Sequence, residues 1–260
     1  MTQRVETFET GAAPRIYFRL PSGEARVVAG ESDSVTVRLS GSEAALSRFI
    51  VEKRGDTVYI EPERGRWGRW SSVELVIEAG DSAQLEARLA AGDLAVTIGV
   101  ASLIADSASG DIVAGSVKGD VAVKSASGDV RIGEIDGTFE AAAASGDIRA
   151  ASVGGDLFAK TAAGDVEVDA VGGEVRIKSA SGDVHIGSFA GPDLDVKTLS
   201  GDVSVGVVGG RKFEVSFQAL SGDVRTEFPV TPGRGESGPT GRLNVKSMSG
   251  DISIHPAPEV

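Results

Sequence analysis

The stretch Ser179 to Val203, SASGDVHIGSFAGPDLDVKTLSGDV, writes Ser-Gly-Asp-Val twice, at 181–184 and 200–203, with a weaker Gly-Pro-Asp-Leu at 191–194. The same phrase sets its glycine at Gly92, Gly110, Gly128, Gly146, Gly164 and Gly182 in steps of 18 residues, then at Gly201, Gly222 and Gly250. Midway copies fall at Gly119-Asp120, Gly137-Thr138, Gly155-Asp156 and Gly173-Glu174, so the unit is nine residues and two units make one 18-residue rung.

Within each unit apolar residues alternate, as a strand with one buried face requires. The first half-rung reads Val130/Ile132/Ile135, Ile148/Ala150/Val153, Val166/Val168/Val171 and Val184/Ile186/Phe189, and the second reads Phe139/Ala141, Leu157/Ala159 and Val175/Ile177. Nine residues are too few for a helical hairpin but suffice for a short strand and a turn. Stacked coils of this kind make an all-β parallel solenoid, with Ile132, Ile148, Val168 and Ile186 expected in one buried column. The turn residues Gly110, Asp111, Gly128, Asp129, Gly146, Asp147, Gly164, Asp165, Gly182, Asp183, Gly201 and Asp202 take a structural reading. Glycine tolerates positive φ at the corner, and aspartate accepts backbone N–H groups within the same turn.

Before residue 91 the rhythm loosens, although strand-like runs persist: RIYFRL, EARVVA, SVTVRLS, FIVEKR, TVYIEP and SVELVIEA. Seven of the thirteen aromatic residues (nine Phe, two Trp, two Tyr) lie here. Residues 1–90 are therefore expected to form an irregular β cap continuous with the solenoid, 91–255 the regular repeats and 256–260 a tail, with PVTPGRGESGPTGR (229–242) as a loop ejected from the final turn.

Composition bounds the function. The 260 residues carry a net charge of −12, which argues against a nucleic-acid binder. Cysteine is absent and no run has the length of a signal peptide or a membrane span, from which a cytoplasmic protein is expected. Each turn offers one glycine and one carboxylate, too few oxygens for a calcium shell, so no metal and no cofactor are expected. Only two histidines occur, His185 and His255, and His185 falls at an outward position. With no grouping of unlike catalytic side chains, no catalytic residue is assigned and the chain is read as a non-enzyme. A column of outward lysines, Lys124, Lys160, Lys178 and Lys197, reads as solvated charge that discourages edge pairing. The segment ERGRWGRW places Arg66, Trp67, Arg69 and Trp70 in a glycine-rich loop with two readings, a partner-binding site, because Trp and Arg are enriched at hot spots, or a cap in which Trp67 and Trp70 cover the solenoid's open end.

The early SGEARVVAG, the central RGRWGRWSSVELVIEA and the 18-residue SGDV spacing together resemble the bacterial putative-adhesin β-solenoid family, whose function is uncharacterised; bactofilins are a looser likeness. The resemblance implies a right-handed coil. The expected function is a non-enzymatic scaffold or interaction module that self-associates or docks a protein partner. The alternative is an adhesin-like surface protein that binds calcium or carbohydrate.

Overall fold

The computed structural model describes residues 2–63, 71–209, 212–227 and 240–257, and the chain divides into two compact units, Met1–Gly133 and Glu134–Val260. Both are built almost wholly from β-strands. In the first unit these are β1 (Thr2–Glu9), β2 (Arg15–Leu20), β3 (Gly23–Ala29), β4 (Ser34–Gly41), β5 (Phe49–Arg54), β6 (Thr57–Pro62), β7 (Val73–Ala79), β8 (Gln84–Leu89), β9 (Leu94–Val96), β10 (Ser102–Ser107), β11 (Ile112–Val117) and β12 (Val121–Ser127). A single helical turn, α1 (Glu43–Leu46), joins β4 to β5 and is capped by the Ser42 hydroxyl. The unit boundary falls within β13 (Val130–Ile135).

The second unit continues with β14 (Phe139–Ser145), β15 (Ile148–Val153), β16 (Leu157–Ala163), β17 (Val166–Val171), β18 (Val175–Ser181), β19 (Val184–Phe189), β20 (Asp193–Ser200), β21 (Val203–Val207), β22 (Lys212–Ser221), β23 (Val224–Thr226), β24 (Thr240–Ser249) and β25 (Ile252–Pro256). Even-numbered strands stack in one sheet, in the order β14-β16-β18-β20-β24-β22, and odd-numbered strands in the other, β15-β17-β19-β21-β25-β23. All of the pairings between described neighbours within this unit are parallel. One strand, a corner and the next strand make a rung, and the rung is the 18-residue repeat. The chain is a parallel β-solenoid.

Register fixes the core. Ile148 lies beside Val166 and then Val184, whereas Ala150 lies beside Val168 and then Ile186, so the single column expected for Ile148, Val168 and Ile186 is two adjacent columns. The two positions belong to one inward face two residues apart, which the pattern of alternation cannot separate. All four residues, Ile132 included, are buried. From the facing sheet come Phe139, Leu157, Val175 and Leu194, with Ala141, Ala159, Ile177 and Val196 alongside. Burying each Val, Ile or Leu contributes roughly 1.5–3 kcal/mol, repeated on every rung. Beside the corner an inward column changes chemistry: Thr161, Ser179, Thr198 and Ser247 are buried hydroxyls, and Thr198 donates to the Ser200 carbonyl at 3.0 Å.

Both ends depart from sequential stacking. In the first unit the rung β6–β7 lies outside the earlier rung β2–β3, and β8–β9 lies on the inner side. The outer rung is then closed by antiparallel partners, β5 on β6 and β4 on β7, with β1 on β4. β1 was not among the strand-like runs read from sequence. Charged residues stud the outermost strands, with Arg4 and Glu6 on β1 and Glu52, Lys53 and Arg54 on β5, which discourages further pairing. In the second unit the last segment in sequence is not the last in space. β24 lies between β20 and β22, and β25 between β21 and β23. The expected terminal loop therefore gives way at Thr240, where β24 begins. The inserted segment brings Leu243, Val245, Ile252 and Ile254, all buried, while the displaced strand β22 keeps Phe213, Val215 and Phe217 half-buried.

The corner glycine is the strictest position in the rung. Gly182 has φ +122°, and a Cβ there would stand 2.2 Å from the Gly164 carbonyl oxygen of the preceding rung. Gly55 also has positive φ, +59°, but nothing lies within 4 Å of its Cβ position. Gly182→Ala should lower unfolding free energy by more than about 2 kcal/mol, from left-handed strain plus the clash, whereas Gly55→Asn should change it by less than about 1 kcal/mol. Denaturant unfolding of the two variants checks the contrast.

Candidate functional site

The most regular polar feature is a ladder of corner carboxylates. In the second unit the Asp165 backbone N–H donates to Asp147 Oδ1 at 2.9 Å, Asp183 to Asp165 at 2.8 Å and Asp202 to Asp183 at 2.7 Å. Asp251 donates to Asp202 at 2.7 Å and Asp223 to Asp251 at 2.8 Å, which follows the spatial order of the rungs. The first unit repeats it with Asp111 on Asp93 and Asp129 on Asp111. Each carboxylate thus binds the next rung rather than its own turn, a correction to the expected contact. The reason is geometric: the glycine corner leaves the following N–H pointing along the stack, one strand spacing from the carboxylate below.

Stacked like charges repel, and outward arginines beside the ladder offset this. Arg149 reaches Asp147 at 2.9 Å and Glu167 on the next rung at 3.0 Å. The Glu167 hydrogen bond, with the Asp147 charge, holds the Arg149 guanidinium above its ordinary pKa despite partial burial. Arg131 likewise lies 2.6 Å from Asp129 and 3.7 Å from Asp111. The accepting Oδ1 atoms of the ladder are thus engaged in main-chain contacts, Asp111, Asp129, Asp147 and Asp223 meet arginines as well, and the described residues contain no group of three or more acidic, histidine or cysteine side chains positioned for a metal.

The lysines do form a column in the second unit. Lys160, Lys178 and Lys197 stand side by side, and the register adds Lys246, which the irregular C-terminal spacing hides in the sequence. Lys197 pairs with Asp195 at 2.6 Å, while Lys160, Lys178 and Lys246 have no ion-pair partner among the described residues. His185 faces outward beside Glu167, and His255 approaches the Ser204 hydroxyl at 3.3 Å. In the first unit Tyr17 and Tyr59 have ring centroids 5.6 Å apart on the outer sheet face, with the Arg88 and Arg54 guanidinium groups over the rings. The candidate partner residues Arg66, Trp67, Arg69 and Trp70 lie outside the described residues.

A second candidate is the outer edge formed by β22 and β23. Among the described residues no strand pairs with their far side. Their inward side chains are incompletely covered: Phe213, Val215 and Phe217 are half-buried and Val224 is 44 % exposed. Asp223 ends the carboxylate ladder, and among the described residues its Oδ1 has no backbone N–H beyond it to receive.

A model of the Toastrack DUF4097 family matches residues 15–259. The chain belongs to that family. Solved structures with a similar course of chain include a "putative adhesin" from Bacteroides fragilis, 12% identical with a TM-score of 0.49, and one from Parabacteroides distasonis, 10% identical with a TM-score of 0.48; each comparison covers 97% of both chains. A "putative cell adhesion protein" from Clostridium sporogenes is 11% identical over 98% of this chain and 99% of that one, with a TM-score of 0.29. No curated protein matches. Among the described residues no helix is long and apolar enough to cross a membrane.

The ladder makes a direct prediction for this Toastrack protein. Asp183→Ala strands the Asp202 N–H and should cost about 1–2 kcal/mol, whereas Asp183→Asn keeps an acceptor oxygen and should cost less than about 1 kcal/mol. Chemical denaturation of both variants measures the difference.

Proposed function

We propose that this Toastrack chain is a non-enzymatic scaffold whose outer C-terminal edge takes an extended segment of a protein partner. The observation that carries this reading is the combination at β22 and β23 of a strand edge and an Asp223 Oδ1 that have no partner among the described residues, together with half-covered apolar side chains. An added strand would pair the edge backbone, cover Phe213, Val215, Phe217 and Val224, and offer its own N–H to Asp223. This is the chemistry of strand addition, in which main-chain bonds supply affinity and alternate side-chain contacts supply selectivity. The regular rungs serve as rigid support. The charged antiparallel edges of the first unit oppose the same reaction there.

Parallel pairing directs alternate N–H groups to opposite sides of a strand. Arg242 of β24 donates to the Pro192 carbonyl on the β20 side, so Leu243 faces β22 and bonds to the residues flanking its partner Val215, which assigns Val215 and the other odd positions of β22 to the free edge. Val215→Pro therefore removes an outward N–H and leaves the inner ladder intact. A labelled synthetic peptide of residues 193–209, one rung of this chain, serves as the probe in fluorescence anisotropy. It should bind the intact protein saturably and bind Val215→Pro at least about tenfold more weakly, a loss of about 1.4 kcal/mol, with circular dichroism unchanged. Failure of the peptide to bind, or equal binding by the variant, would contradict the reading.

A further inference from the structure

The residue before each Ser-Gly-Asp or Ala-Gly-Asp corner points outward. Along the second unit this column reads Ala144, Ala162, Ala180, Leu199, Met248 and Leu220 in the order the rungs are stacked. Three alanines give way to three large apolar side chains on the last three rungs. Leu199 is 56 % exposed, Met248 53 % and Leu220 80 %. In sequence these residues are separated by 21 and 28 positions. The insertion of β24 between β20 and β22 makes them neighbours, so the chain crossing assembles an apolar ridge about 10 Å long from strand spacings of about 4.8 Å.

The ridge has two unlike flanks. Two residues before Leu199, Met248 and Leu220 stand Lys197, Lys246 and Gln218, and Lys178 continues the row on the adjoining rung, before Ala180; Lys178 and Lys246 have no ion-pair partner among the described residues. Three residues after it stand Asp202, Asp251 and Asp223 of the carboxylate ladder. Asp202 and Asp251 use Oδ1 for the ladder, and their Oδ2 atoms have no partner among the described residues. Acid on one side and base on the other make the strip complementary to itself. A two-fold axis parallel to the ridge sets ridge against ridge and brings the lysines of each copy opposite the aspartates of the other. An axis perpendicular to the ridge would instead set lysine against lysine. An anionic lipid surface would meet the lysines but would also meet the aspartate row, which opposes it.

We infer that Leu199, Met248 and Leu220, with Lys178 and Lys246 on one flank and Asp202 and Asp251 on the other, form an isologous interface for a second copy of this chain, the two ridges running in the same direction. The contact is separate from the edge of β22 and β23 and leaves that edge open. Three rungs bury less than a standard interface of about 800 Å² per partner, so the association is weak and concentration-dependent.

Sedimentation equilibrium of the full chain over about a hundredfold range of concentration should show a monomer–dimer equilibrium, as expected for an interface below the standard size. Replacing the three ridge residues together, Leu199→Ser, Met248→Ser and Leu220→Ser, should weaken the dimer at least about tenfold, about 1.4 kcal/mol, without changing the β spectrum, because all three side chains are already exposed. Lys178→Glu with Lys246→Glu should weaken it as well. Val215→Pro should leave it unchanged, which separates this contact from strand addition at the edge. The native chain has no cysteine, so orientation is read by oxidative cross-linking. Leu220→Cys should link to itself in the parallel arrangement, whereas an opposed arrangement would link Leu220→Cys to Leu199→Cys in a mixture. The proposal is overturned by a monomer at every concentration, by a dimer indifferent to the serine variant, or by cross-links of the opposed pattern. It is equally overturned if the chain stays monomeric and its ridge instead binds phosphatidylglycerol vesicles.

Discussion

The structure turns on one corner, in which a glycine has no room for a Cβ and the aspartate after it holds the next rung by its main chain. A parallel strand pair gains its backbone bonds only if successive coils keep the same register, because a slip of one residue would send every inward side chain to solvent. The carboxylate-to-N–H bond, near 2.8 Å where Asp183 meets Asp165, adds a side-chain contact at the point where each coil changes direction. The Gly182 corner packs against the Gly164 carbonyl so closely that no other residue fits without movement. Together they make the phrase Ser-Gly-Asp a recurring stacking joint. That is why it is rewritten on each rung.

The same joint explains the ends. A ladder built of identical joints has no intrinsic stop, so each unit ends by other means. The first unit reverses strand direction and places charge on its outer strands. The second ends on a rung whose inward face is thinly covered and whose last carboxylate has an acceptor oxygen without a partner among the described residues. The two units therefore finish differently, one on charged antiparallel strands and the other on a parallel edge. Large apolar side chains also gather near the same C-terminal rungs, on the outer face as well as at the edge.

Much of the fold was legible because its signals are local. The two-residue alternation at Val166 and Val168 reports an inward face, and the 18-residue step reports the rung. What escaped depends on contacts far apart in sequence. Nothing near Leu243 or Ile252 says that their segment slips inside the one that precedes it, since β22 and β24 carry the same alternation. The ridge was hidden for the same reason: Leu199 and Met248 become neighbours only through that crossing. The reach of Asp183 to the next rung was missed because a local turn bond satisfies the same residue preference. The tryptophan loop remains a motif of sequence, with Trp67 and Trp70 outside the described residues.

Amide hydrogen exchange at individual corner residues tests the stacking joint most directly. The N–H groups of Asp165, Asp183 and Asp202 belong to a surface turn, where an unbonded amide exchanges at close to the unprotected rate. If each donates to the carboxylate of the rung below, all three should be slowed to nearly the extent of the flanking strand amides of Val166, Val184 and Val203. Exchange of the three aspartate amides at unprotected rates, while those valines remain protected, would contradict the ladder and with it this account of how the rungs are held.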